Sequence, residues 1–146
     1  MGLFASLFSS KAPAPEKPSD RKELVYLMGV AKFEVRIDGE EDYQVALEAI
    51  CGPRLPAGVK QFHTASLKLE DNHPRDKNAV RVEILEKRVG YLRLEAASLF
   101  RQHLIVRGLP RGVGQCAAII RGGWVSSDGR KGPYEVWLDL PIWSPQ

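Results

Sequence analysis

The stretch Leu69-Glu70-Asp71-Asn72-His73-Pro74-Arg75-Asp76-Lys77-Asn78-Ala79-Val80 concentrates acids, amides and bases between two apolar runs. Asn72, Pro74 and Asp76 are turn formers, and Asn and Asp side-chain oxygens can satisfy loop amides, so internal structure accounts for part of it. Asp71, Asp76 and His73 also offer the donor types of a metal-dependent hydrolase, a third and weakest reading. His63, His73 and His103 are scattered, and none joins a His-Glu-x-x-His pattern or a tight His/Cys/carboxylate set. A nuclease of the Pro-Asp…(Asp/Glu)-x-Lys type needs an acid two residues before a strand lysine, and Leu85 stands there before Lys87. Gly-x-Ser-x-Gly and a Gly-rich Lys-Ser/Thr loop are missing as well. The sequence therefore reads as a binding protein and not an enzyme, with neither metal nor cofactor expected.

The elements that must hold this loop follow from periodicity. Lys32 to Ile37 alternates polar and apolar, predicting a strand with Phe33, Val35 and Ile37 on one face. Asp38 and Glu41 stand at capping-box spacing before Tyr43, Ala46, Leu47 and Ile50, a helical stripe stopped by Gly52-Pro53. The acids Glu40 to Asp42 are read as first-turn residues favourable to the helix dipole. Strands are predicted over Thr64 to Glu70, Asn78 to Leu85 and Arg88 to Leu92, the last two as a hairpin across Glu86-Lys87. Leu94 to Leu104 is a helix with Ala97, Phe100 and Leu104 inward. A loop runs to Gly114; then Cys116 to Val125 and Tyr134 to Leu140 are strands joined by a tip, Ser126 to Pro133, carrying Arg130-Lys131. The last strand places Tyr134, Val136, Leu138 and Leu140 on one side and Glu135, Trp137 and Asp139 on the other. Five or six mostly antiparallel strands with two short helices predict a mainly β fold, a small, partly open β-barrel.

Length and composition agree with one folded unit. The chain has 146 residues, 44% hydrophobic and 27% charged, the size of one compact domain. No apolar run approaches the roughly 18 residues of a spanning helix, so no membrane partner is expected. Three prolines within Ser9 to Asp20 mark residues 1–23 as a tail or linker, with the folded domain over 24–146. The start, Met1 to Phe8, lacks the basic opening and longer apolar core of a secretory signal; its Gly2 and Ser6 meet only the loose spacing for myristoylation. Cys51 and Cys116 lie beside apolar residues and outside any Cys-x-x-Cys pair, which reads as buried thiols in a reducing cytoplasm. Net charge is +3, yet Ala31 to Ile50 carries −4 and Arg101 to Lys131 carries +5, an asymmetry that points to a basic face.

The polar loop, continued through Arg81-Val82, resembles the core of the HIRAN domain family, Glu-Pro-x-Asn-Pro-Tyr-Asp-x-Asn-Ala-(Val/Ile)-x-Val. Val89-Gly90-Tyr91-Leu92 and Ala96-Ala97 follow in the order of that family. Bacterial members are similar also through Tyr43-Gln44 before a helix, through Cys116 to Trp124 and through Val136 to Leu140, so the likeness spans roughly 31–140. The resemblance implies an OB-like barrel that binds single-stranded DNA, in some members at a free 3′ end, as an accessory to helicase or nuclease machinery in DNA repair. Asp76 then matches the carboxylate that accepts a hydrogen bond from a terminal sugar hydroxyl, and Asn72 and Asn78 match the loop amides. Arg75 stands where the family has an aromatic, and Asp71 where it has proline.

Single-strand binding needs cations for phosphate and flat side chains for unpaired bases. Arg75, Lys77, Arg81, Arg93, Arg130 and Lys131 are the candidate cations, and Tyr43, Tyr91, Trp124 and Trp137 the candidate platforms. An Arg75 guanidinium can also lie flat on a base. DNA and RNA are both open as ligands. The alternative is a protein-interaction adaptor whose polar loop is structural, in keeping with the modest charge and the absent loop tyrosine.

Overall fold

A computed structural model describes residues 22–143. In chain order it contains β1 (Leu24–Tyr26), β2 (Val35–Arg36), a 3-10 turn (Glu40–Tyr43), α1 (Gln44–Cys51), β3 (Val59–Leu69), β4 (Val80–Ile84), β5 (Lys87–Tyr91), α2 (Leu94–Val106), β6 (Val113–Gly122) and β7 (Tyr134–Asp139). The main path of the sheet is β2-β7-β6-β3-β4-β5, and β1 pairs in parallel with the first residues of β6. The other named strand pairs are antiparallel.

The sheet curls until its two edges meet. Asp38, just past β2, donates its N–H to the Tyr91 carbonyl at 2.8 Å and accepts the Tyr91 N–H at 2.9 Å. That pair joins β2 to β5. Gly90 allows the approach, since a Cβ there would lie 2.5 Å from the Asp38 carbonyl oxygen. Beyond the bridge β7 has no strand on its β2 side, and the segment 40–51 fills the gap. Glu40 Oε2 accepts the Val136 N–H at 3.0 Å, and the Gln44 amide bonds both the N–H and the C=O of Tyr134. The result is the small, OB-like, partly open barrel, mainly β with two short helices.

Alternation builds the core as expected. Val80, Val82 and Ile84 are buried, as are Tyr134, Val136 and Leu138, while Leu47 of α1 and Ala97, Phe100 and Leu104 of α2 close the barrel. Gly114 lets α2 pack closely, because a Cβ there would sit 2.7 Å from the Phe100 ring. Leu85 and Glu86 both have positive φ, 50° and 63°, the geometry of the tight two-residue hairpin turn that twists with its strands.

Several expectations are corrected. The strand over Lys32 to Ile37 shrinks to Val35–Arg36, because Phe33 takes φ 50° and leaves the pleat. Ile37 enters the core, whereas Phe33 packs edge-on against Phe62, ring centroids 5.6 Å apart. The capping box does not form: Asp38 is held in the bridge, Gly39 is left-handed, and no side chain caps the turn. Glu40 is buried instead of solvated, bonded by Arg36 Nε at 2.7 Å. β1 has no counterpart among the predicted strands, β3 begins at Val59 rather than Thr64, and β6 begins at Val113 rather than Cys116. The tail over 1–23 falls outside the described residues except for its last two positions.

Candidate nucleic-acid interface

The polar loop leaves β3 at Leu69 and enters β4 at Val80. It is shaped from within and clamped from outside. Asp76 Oδ1 accepts the Asn78 N–H at 2.8 Å, an Asx turn, and His73 Nδ1 accepts the N–H groups of Arg75 and Asp76, each at 3.1 Å. Arg101 of α2 donates to the carbonyls of Asn78 and Ala79 at 2.8 Å and reaches Asp71 at 3.2 Å. Arg111 pairs with the other Asp71 oxygen, and this hydrogen bond first, with that of Arg101 after it, holds the Asp71 carboxyl below its ordinary range. His73 and Asp71 are therefore committed to the loop's own framework.

Some polar groups of the loop are left without partners. The second oxygen of Asp76 has no partner among the described residues, and neither do the side chains of Asn72, Arg75, Lys77 and Asn78. Tyr91 of β5 borders the loop, its ring 5.2 Å from that of His73 in an edge-to-face contact. Arg88 lies 5.9 Å over Tyr91 and against the Tyr43 hydroxyl. Burial first, and then the neighbouring Glu70 carboxylate, push the Tyr91 hydroxyl up to about 12, so it stays protonated. Tyr43, Tyr91 and the loop, with its His73 and Glu70, thus come together, and Arg88 joins them as a member that no local pattern announces.

Other predicted members stand apart. Arg81 is the cross-strand neighbour of Tyr91, but it shares Glu83 with Lys68, at 2.7 and 2.9 Å. Arg93 is exposed at the entrance of α2 and lines a groove of about 630 Å³ between α2, β2 and the end of β7. Trp137 forms another wall of that groove. The pair Arg130-Lys131 lies beyond Gly122, which faces Val59 at the opposite end of β3 from the loop. Ten residue steps separate those ends, about 33 Å at ~3.3 Å per residue. Arg130 is also paired with Asp128 at 3.0 Å.

Among the described residues no group of three or more His, Cys, Asp or Glu side chains could hold a metal ion, and no helix is long and apolar enough to cross a membrane. Cys116 is buried and Cys51 half-buried, both free; burial pushes their thiols up to about 12 and about 11. No protein-family model, curated protein or solved structure matches the chain in comparison.

Proposed function

We propose that this protein is a non-catalytic module that binds single-stranded nucleic acid, DNA or RNA, at a free 3′ end, and that it serves a helicase or nuclease in DNA processing in the cytoplasm. The observation that carries the reading is the free Asp76 oxygen in a clamped loop whose His73 packs against the Tyr91 ring, with the unpaired Arg75 and Lys77 on either side of it in the chain. A carboxylate accepts from a terminal hydroxyl and repels a terminal phosphate, so this group distinguishes the two ends chemically. The resemblance to the HIRAN loop supports the same role for Asp76, with Arg75 in place of the family's aromatic.

Fluorescence-anisotropy titration with oligonucleotides ending in a 3′-hydroxyl or a 3′-phosphate tests this. The wild type is expected to bind the hydroxyl end more tightly, with salt-sensitive affinity, and Asp76→Ala to lose the preference. Absence of salt-sensitive binding to either oligonucleotide overturns the reading and leaves the protein-interaction adaptor.

A further inference from the structure

Directly opposed residues on neighbouring strands point to the same face, so the register sorts the outer surface of the barrel into rows. Lys60 of β3 stands opposite Arg121 of β6, which stands opposite Glu135 of β7. In the next row Phe62, Ile119, Trp137 and Arg36 cross β3, β6, β7 and β2. Ile119 points outward yet is 1% exposed, because Phe62 and Trp137 flank it; Phe62 itself is 64% exposed.

Like charges directly opposite one another destabilise a sheet, and here the available neutraliser is spent elsewhere. The Glu135 carboxylate lies 3.0 Å from Arg36 Nη1 and makes no ion pair with Arg121. Arg121 is left 5.9 Å over the Trp137 ring, and among the described residues neither it nor Lys60 has a carboxylate partner. The remaining acids of this face are engaged. Glu83 is held by Lys68 and Arg81, and Asp139 accepts the Ala31 N–H at 3.0 and 3.1 Å. Two unneutralised cations beside the exposed Phe62 and the half-buried Trp137 fit a ligand that joins anionic groups to flat rings.

The same face leads to the polar loop. Thr64, Ser66 and Ala117 form a shallow stretch of small side chains, flanked by Tyr26, which is 71% exposed and opposite Gln115. Past them Lys68 faces Arg81, and Arg81 faces Tyr91. We propose that this lane along β3 carries the body of a single-stranded nucleic acid whose end sits at Asp76; the inference rests on the function proposed above. Lys60 and Arg121 take phosphates, and Phe62 and Trp137 take bases. Arg130 and Lys131, beyond Gly122, continue the lane. Its length, about 33 Å at ~3.3 Å per residue of β3, suits the roughly 4–16 nucleotides held by an OB-type fold.

Anisotropy titrations with oligo(dT) ligands of two, four, eight and twelve nucleotides, each with a free 3′-hydroxyl, read this directly. Wild-type affinity is expected to rise about tenfold or more from the dinucleotide to the octanucleotide, with stacking contributing on that order per base. The double variant Lys60→Ala, Arg121→Ala should bind the dinucleotide within about twofold of wild type. On the octanucleotide it should lower the slope of log affinity against log salt by about 1.4, at ~0.7 per phosphate contact. Phe62→Ala, at an exposed position, should lose the gain with length. If affinity does not rise with length, or rises equally in both variants, the lane is overturned while the end pocket stands. If wild type binds no oligonucleotide, the lane and the end pocket both fall.

Discussion

The side chain of Gln44 does for Tyr134 what a neighbouring strand would do. Its Nε2 donates to the Tyr134 carbonyl at 3.0 Å and its Oε1 accepts the Tyr134 N–H at 2.8 Å, while the same Nε2 also donates to the carbonyl of Glu40. A helix residue thereby extends the hydrogen bonding of β7 where β2 has turned away to β5. Gln44→Ala is expected to lower unfolding stability by about 2 kcal/mol, since both backbone groups lose their partner in a half-buried place. Gln44→Glu keeps the acceptor but sets a carboxylate against the Tyr134 carbonyl. Its charged form is disfavoured in the fold, which raises the folded-state pKa, so its stability should rise as pH falls through that raised value and level off below the ordinary glutamate value of about 4.3. Urea denaturation at pH 7 and pH 4 checks both; equal stability of wild type and Gln44→Ala would show that solvent takes over these bonds.

The Asp71 clamp has an acid-side signature. Its folded-state pKa is depressed by Arg111 and Arg101, so its contribution is present above the unfolded value of about 3.9 and is lost as pH falls through the lower folded value. Asp71→Asn should therefore be less stable than wild type at pH 7, by less than about 1 kcal/mol because the pair is partly exposed. The two should converge below about pH 4. Hydrogen exchange at residues 71–79 should quicken in the variant at neutral pH. A gap that stays constant from pH 7 to pH 3 would contradict the clamp.

Tyr91 offers a spectroscopic check on the platform. Ultraviolet titration should reveal a tyrosine ionising at about 12, about two units above the ordinary value of ~10. Glu70→Gln removes the neighbouring negative charge and should bring that transition down, though not to the ordinary value, since burial is the larger cause. A transition that does not move would mean that Glu70 is not felt by the hydroxyl.

Legibility in the sequence followed the range of the interactions. The β4–β5 hairpin and the inward stripe of α2 are written in local periodicity, and Val80, Val82, Ala97 and Phe100 are buried as their spacing requires. The same reasoning overextended β2, because alternation cannot register the left-handed turn at Phe33. The structure brings Tyr43 and Tyr91 beside the Asp76 loop, yet the loop's clamps come from Arg101 and Arg111, 30 and 40 positions from Asp71. Likewise Lys60 and Arg121 meet only through the register of β3 with β6. Charge alone names Arg130 and Lys131 as candidate cations but carries no information on which end of β3 they stand near, and the structure puts them beyond Gly122, which faces Val59.

Asp38 and Tyr91 close the ring of strands with two hydrogen bonds, whereas β3 and β6 face each other over nine residue pairs. Beside that latch β5 also meets the segment 40–51, where Arg88 reaches the Tyr43 hydroxyl and Gly90 lies against Asp38 and Glu40, so the wall is joined here more by packing than by strand pairing. Tyr91 is itself half of the latch, so a base settling on its ring would also fasten the circle, and ligand binding should be felt as slowed amide exchange at Asp38, on the far side of the join.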